Sequence, residues 1–343
     1  MSDIDIRTEG RAGRITLTRP HALNALTYDM ALAIEAAVDA WRDDDAVALV
    51  VIDAAGDKAF CAGGDIAALY DSGMAGDFDY ARRFWADEYR LNAKLAEYSK
   101  PVVSLMQGFT MGGGVGLGCH ASHRILGESS RISMPECGIG LVPDVGGSLL
   151  LARAPGRMGE YLGLTAARLE PGDAIAAGFA DHFIPQAQWA GLVQELCQTG
   201  DIAAVMHASE KAPQGPLSTQ AAQIDHLFSG STVQDILTTL GADDSPLATG
   251  AHKAVSRNSP LAMACTLEML ARLRDSGAGI RDALDLEYRV TWRAIEHGDF
   301  LEGIRAAIID KDRNPVWKHR IDTLPAQAVA DMLAPLGDNA LTF

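Results

Sequence analysis

The sequence predicts an α/β fold, on three observations. Short runs rich in β-branched residues, Arg14 to Thr18 (RITLT) and Leu49 to Asp53 (LVVID), bracket a segment, Met30 to Trp41 (MALAIEAAVDAW), whose apolar residues recur at helical spacing. A further apolar run, Lys100 to Gln107 (KPVVSLMQ), follows an amphipathic stretch from Asp79 to Tyr98 and leads into a glycine cluster. Beyond Pro185 the strand signals stop and helical stretches take over: Trp189 to Gln198, Pro260 to Arg274 and Ile280 to Glu296. Alternating strands and helices followed by helices is the grammar of an α/β core with a helical C-terminal region. A polar Gly/Ser/Pro-containing stretch at about 208 to 250 separates them, with a soft boundary near residue 200. Residues 1–200 are expected to form the core and 201–343 the helical part.

Composition narrows the function classes. With 343 residues, 48% hydrophobic and 22% charged, the chain can bury a large core. Five cysteines (Cys61, Cys119, Cys137, Cys197, Cys265) are odd in number and form no CxxC pair, which suggests neither a disulfide framework nor a zinc ribbon. The opening MSDIDIRTEG has neither a basic apolar signal nor an arginine-rich transit pattern, so a cytoplasmic, soluble protein is expected. A formal charge of −16 argues against nucleic acid or an anionic membrane as partner.

Two glycine clusters follow predicted strands: KAFCAGGDI (58 to 66) and QGFTMGGGVGLG (107 to 118). Glycine lets backbone approach a ligand, and a turn running into a helix leaves N–H groups pointing outward. Two such turns can aim two N–H groups at one oxygen and stabilise charge developing on a carbonyl. The plainer reading of either cluster alone is a tight turn where strand and helix pack closely. Downstream, MPECGIGLVPDVGGS (134 to 148) carries two acids, Glu136 and Asp144, eight positions apart with no lysine, arginine or amide between Met134 and Ser148 to pair with them.

Two other motifs argue for themselves poorly. Gly116, Gly118 and Ala121 match G-x-G-x-x-A, with Glu136 twenty residues on, but QGFTMGGGV separates the strand from the first glycine of that match. Cys119, His120 and His123 are cramped and lack a second ligand pair, so a metal site is not expected.

RPHALNALT (19 to 27), KAFCAGGDI, KPVVSLMQGFTMGGGVGL and MPECGIGLVPDVGGS resemble the successive signatures of the crotonase, or enoyl-CoA hydratase/isomerase, superfamily. The resemblance implies a crotonase-like spiral of strand-strand-helix turns with a C-terminal helical region, and binding of acyl-coenzyme A thioesters. It implies that the backbone N–H groups of Gly64 and Gly113 are the oxyanion donors. Members of the superfamily run different reactions, so departures from the hydratase pattern matter. Where hydratases resembling this chain carry a glutamate stands Gly116; Glu136 occupies the place of the other hydratase glutamate, and Asp144 stands where hydratases have glycine. That distribution resembles the 3-hydroxyisobutyryl-CoA hydrolase subfamily. The same holds for ADEYRLN (86 to 92), LEYRV (286 to 290) and HGDFLEGIRAAIIDKDRNPVWK (297 to 318).

The resemblance therefore implies a thioester hydrolase of valine breakdown. Its alternatives are an enoyl-CoA hydratase or isomerase, or a non-catalytic acyl-CoA- or RNA-binding relative. Glu136 would attack the thioester carbonyl or act as base toward water, and Asp144 would handle a proton or hold the substrate's 3-hydroxyl. Two nearby carboxyls resist ionising together, which raises one pKa. Glu88, carried over from ADEYRLN, would line the substrate pocket; by its own pattern it is a solvated acid on an amphipathic helix. Lys58 and Arg19 are candidate counter-charges for coenzyme A phosphates, although either also reads as an ordinary surface cation. No cofactor is expected beyond the coenzyme A of the substrate, and no metal; a homo-oligomer is compatible with the sequence.

Overall fold

The computed structural model describes residues 3–343. Its strands are β1 (Ile4–Glu9), β2 (Ala12–Leu17), β3 (Leu49–Ala54), β4 (Ala59–Cys61), β5 (Val102–Met106), β6 (Phe109–Met111), β7 (His123–Leu126), β8 (Arg131–Ser133) and β9 (His182–Phe183). β1 and β2 pair antiparallel, and the remaining ladders of that sheet are parallel, in the order β1-β2-β3-β5-β7-β9. Gly10 makes the first turn at φ +58, where a Cβ would lie 2.1 Å from the Cys197 carbonyl oxygen, so no other residue fits.

The helix Tyr28–Arg42 supplies the crossover from β2 to β3. The Thr27 side chain caps it by accepting from the Met30 N–H, and Met30, Ile34, Val38 and Trp41 form its buried stripe. Four consecutive buried residues in β3 and five in β5 mark strands covered on both faces, as their uninterrupted apolar runs require. On one face Ala12, Leu49, Val51, Val103, Leu105 and Ile125 pack with Leu192, Val193 and Leu196 of the helix Trp189–Thr199.

A second parallel sheet, β4-β6-β8, takes two of its strands, β4 and β6, from the glycine clusters and its third from Arg131–Ser133. Its strands are three residues long, too short to express a period, and the sequence did not announce them. RPHALNALT acts as a clasp on this region. Leu23 and Asn24 both sit at left-handed φ, +52 and +54. The buried Asn24 amide donates to the carbonyls of Ala55 (3.0 Å) and Ala59 (2.9 Å). Alongside it, the Ala62 N–H donates to Leu23 O and the Leu26 N–H to Gly63 O.

The chain divides into two compact units. One comprises residues up to Gly64, Asp87–Ser133 and Arg168–Ser218, and holds both sheets; the other comprises Asp65–Ala86, Met134–Ala167 and Thr219–Phe343. The chain therefore passes between units several times, where the sequence reading placed one soft boundary near residue 200; strand-helix alternation shows where elements lie, not which of them cluster. Within the second unit the helix Pro260–Leu273, capped by Ser259, packs against Gly147–Arg153, Met158–Thr165, Ile280–His297 and Ala326–Met332. The polar stretch at about 208 to 250 contains three helices, Ala221–Leu227, Val233–Gly241 and Pro246–Arg257. Among the described residues no helix is long and apolar enough to cross a membrane.

The clasp gives the first prediction. Asn24→Ala removes the donor to two carbonyls and puts a Cβ-bearing residue without local hydrogen bonding at positive φ. Denaturant unfolding should show a loss of about 2–3 kcal/mol. A loss below about 0.5 kcal/mol would mean the clasp is dispensable.

Candidate active site

In the first unit, the two glycine turns converge. Gly113 opens the helix Gly113–Gly118, so its N–H lies before the first intrahelical acceptor. A Cβ built on Gly113 would lie 3.3 Å from the Gly64 nitrogen and 2.8 Å from Glu88 Oε1, which places both amides and this carboxylate around one point. Gly114 is needed for close approach, since its Cβ would lie 2.2 Å from the Cys61 carbonyl oxygen. Gly63 (φ +119) and Gly112 (φ +47) take the backbone angles that turn the two chains. Glu88 is 2% exposed on the helix Phe78–Ala96 and is thus not the solvated surface acid its amphipathic pattern alone suggested.

In the second unit, Glu136 and Asp144 are 4% and 5% exposed. Glu136 begins the turn Glu136–Ile139, whose end at Gly140 (φ +74) returns its N–H to the Glu136 carbonyl. Burial, then the negative charge of Asp144, holds the Glu136 carboxyl well above its ordinary value of 4.5. Its Oε2 is buried and accepts no hydrogen bond among the described residues. Such an oxygen is expensive to leave unused in a purely structural acid.

A third carboxyl belongs to this cluster, and sequence reasoning did not find it. Glu287, 0% exposed on the helix Ile280–His297, accepts from the Gly146 N–H (2.8 Å), the Ser148 N–H (3.1 Å) and the Ser148 hydroxyl. Burial pushes its pKa up to about 8, partly opposed by those donors, and Asp144 adds to the rise. The resemblance carried by LEYRV assigns its acid no role. The available signal was position: Glu287 falls on the stripe of Ile280, Ala283, Leu284, Thr291, Ala294 and Ile295, all buried, where an unassisted acid does not belong.

The remaining candidates separate cleanly. Arg19 is committed to the Ala25 carbonyl at 2.7 Å and to Asp3 at 3.2 Å, which weakens its case as a phosphate contact, while Lys58 is exposed. Gly116 and Gly118 lie within the helix Gly113–Gly118 rather than in a strand-to-helix turn, against a dinucleotide fingerprint. Cys119 sits 3.8 Å from the Met106 sulfur with its thiol pushed up to about 12 by burial, and His123 stacks on His182 at 5.9 Å. Among the described residues no three His, Cys, Asp or Glu side chains gather as a metal set. Cys61, beside the first glycine cluster, and Cys137, next to Glu136, are likewise pushed up to about 12 by burial, which disfavours the nucleophilic thiolate.

A family model described as "Enoyl-CoA hydratase/isomerase" matches residues 12–333. The chain is 36% identical to the 3-hydroxyisobutyryl-CoA hydrolase, mitochondrial, of Gallus gallus over 99% of its length and 91% of that protein, and 40% identical to that of Rattus norvegicus over 92% and 84%. Two solved structures superpose over 100% of the chain. One, described as an enoyl-CoA hydratase from Rhodobacter sphaeroides, is 60% identical with a TM-score of 0.97, and all of it is covered. The other, described as a carnitinyl-CoA dehydratase from Mycobacterium thermoresistibile, is 40% identical with a TM-score of 0.95, and 99% of it is covered.

The raised Glu136 carboxyl has a sign that can be tested. A group whose folded pKa lies above its unfolded value holds its proton longer when folded, so stability falls as pH rises from about 4.5 toward the folded value. Glu136→Gln removes that loss. Its stability relative to wild type should therefore improve between pH 5 and 8, by up to ~1.4 kcal/mol per pH unit. Denaturation at both pH values measures this, and a constant difference would mean an ordinary carboxyl.

Proposed function

Because the chain belongs to the enoyl-CoA hydratase/isomerase family, we propose that it hydrolyses 3-hydroxyisobutyryl-coenzyme A, a step of valine breakdown, to 3-hydroxyisobutyrate and free coenzyme A. The observation that carries this reading is the buried Glu136–Asp144 pair, with a Glu136 oxygen left unpartnered among the described residues and a proton affinity raised by its surroundings. The curated relatives bearing the hydrolase name support it.

In this reading, attack on the thioester carbonyl builds negative charge on oxygen, and the Gly64 and Gly113 amides stabilise it by several kcal/mol. Glu136 attacks the carbonyl, displacing the thiolate to give a transient anhydride that water then hydrolyses to the acid and free Glu136, or it takes a proton from a water that attacks the carbonyl directly. Asp144 handles a proton or holds the 3-hydroxyl, and Glu88 lines the acyl pocket. The sulfur leaves as the thiol after protonation. These steps need no metal or redox group, and we assign no cofactor beyond the coenzyme A of the substrate. We assign the protein to a reducing compartment, which its five free buried thiols support; the curated relatives are named as mitochondrial.

A second reading, hydration of an enoyl-CoA, is favoured by the descriptions of the two similar solved structures. Against it stands Gly116, buried in the helix Gly113–Gly118, where the hydratase pattern has a glutamate. Thiol release from 3-hydroxyisobutyryl-CoA, measured beside hydration of crotonyl-CoA, decides between them. Hydrolysis without appreciable hydration is expected; rapid hydration with no thiol release would overturn the proposal.

Two substitutions resolve the roles. Glu136→Gln should lower thiol release at least ~100-fold while acyl-CoA binding persists, and near-normal turnover would leave Glu136 a structural acid. Asp144→Asn should narrow the preference for 3-hydroxyisobutyryl-CoA over isobutyryl-CoA, because a site that bonds a hydroxyl rejects the analogue lacking it. A lost rate with unchanged preference would assign Asp144 to proton transfer alone; unchanged rate and preference together would remove it from the site.

A further inference from the structure

We propose that Glu287 is a positioning residue of the site, a buried carboxyl group that fixes the backbone turn carrying Asp144. The inference rests on the hydrolase reading for its kinetic consequence and on geometry alone for the clamp itself.

Asp144 is followed by two residues in left-handed conformation, Val145 at φ +54 and Gly146 at φ +78. A β-branched residue is disfavoured there and persists only where its surroundings over-determine it. The surroundings are specific. The Gly147 N–H closes the turn on the Asp144 carbonyl at 2.7 Å. Glu287 Oε2 then takes the Gly146 N–H at 2.8 Å, and Oε1 takes both the Ser148 N–H at 3.1 Å and the Ser148 hydroxyl. Gly147 packs directly against the Met134 side chain, where a Cβ would lie 2.4 Å from the terminal methyl.

Three donors from two residues, Gly146 and Ser148, therefore meet both oxygens of one carboxyl group, from a helix more than 130 residues further along the chain. Leucine or glutamine would fill the same space on the buried stripe of Ile280–His297. Neither could accept from the Gly146 and Ser148 amides together, because leucine has no acceptor and glutamine has one oxygen with an N–H₂ in place of the other. The requirement for an ionisable group in so dry a place is met by what it holds.

Glu287→Gln turns one acceptor into a donor that opposes a backbone N–H while keeping the side chain's size. Ser148→Ala removes the hydroxyl donor and leaves both amides. If Glu287 acts through the Asp144 turn, Glu287→Gln lowers kcat for thiol release about 10- to 100-fold with KM within about threefold, as expected for a displaced rather than deleted catalytic group. Ser148→Ala lowers kcat by a smaller factor, also at unchanged KM. The Asp144→Asn/Glu287→Gln double variant falls within about threefold of Asp144→Asn alone, since two changes acting through one group are not additive.

The inference is overturned if Glu287→Gln keeps kcat within about twofold, or if the double variant shows the product of the two single losses. Where Glu287→Gln does not fold, Ser148→Ala decides: a kcat loss at constant KM supports the clamp and an unchanged kcat overturns it. Amide hydrogen exchange at Gly146 and Ser148 gives a readout free of any activity. It should accelerate in either variant, and unchanged protection in both removes the clamp. Absence of thiol release by the wild-type protein would instead overturn the hydrolase reading, leaving the exchange result to stand or fall alone.

Discussion

The candidate site in the second unit of this protein is arranged around the difficulty of burying carboxyl groups together. Glu136, Asp144 and Glu287 are each at most 5% exposed, and removing a carboxylate from water costs several kcal/mol unless donors or neutralisation compensate. The three groups are treated differently. Glu287 is given three donors and no freedom. Glu136 has an oxygen with no donor among the described residues, and its proton is held by burial and by the charge of Asp144. A carboxyl oxygen left without a donor is a poor structural element and a suitable reagent, because its basicity is not already spent on the fold.

The first unit carries the opposite chemistry. Its glycine turns carry N–H groups at Gly64 and Gly113 brought close by residues with no side chain to intervene, and the means of bringing them close are short-range and rigid. The three-stranded sheet β4-β6-β8 supports both turns, and the Asn24 amide ties the end of β3 to the start of β4. Amide dipoles fixed in this way need no reorganisation when charge develops on a substrate oxygen.

Much of this was legible in the sequence, for physical reasons that also explain what was not. β3 and β5 could be read because strands covered on both faces are apolar throughout, and Tyr28–Arg42 because one stripe is buried. The glycine clusters could be read because close approach forbids a Cβ. β4, β6 and β8 could not, since three residues carry no period. Asn24 stood in a quoted motif without a role, because its partners lie 31 and 35 residues away. Glu287 was missed although it sits on an apolar stripe; the donors that stabilise it come from a turn 139 and 141 positions earlier.

The central claim is that Glu136 works as a carboxylate whose proton affinity is raised by burial and by Asp144. The pH dependence of kcat/KM for thiol release, in wild type and in Asp144→Asn, tests it most directly. Activity should rise with pH through an apparent pKa above the ordinary 4.5, and in the Asp144→Asn protein the residual activity should rise through a lower one, because a neighbouring negative charge has been removed. An ascending limb at the ordinary carboxylate value, or one that does not move when Asp144 loses its charge, would contradict the account.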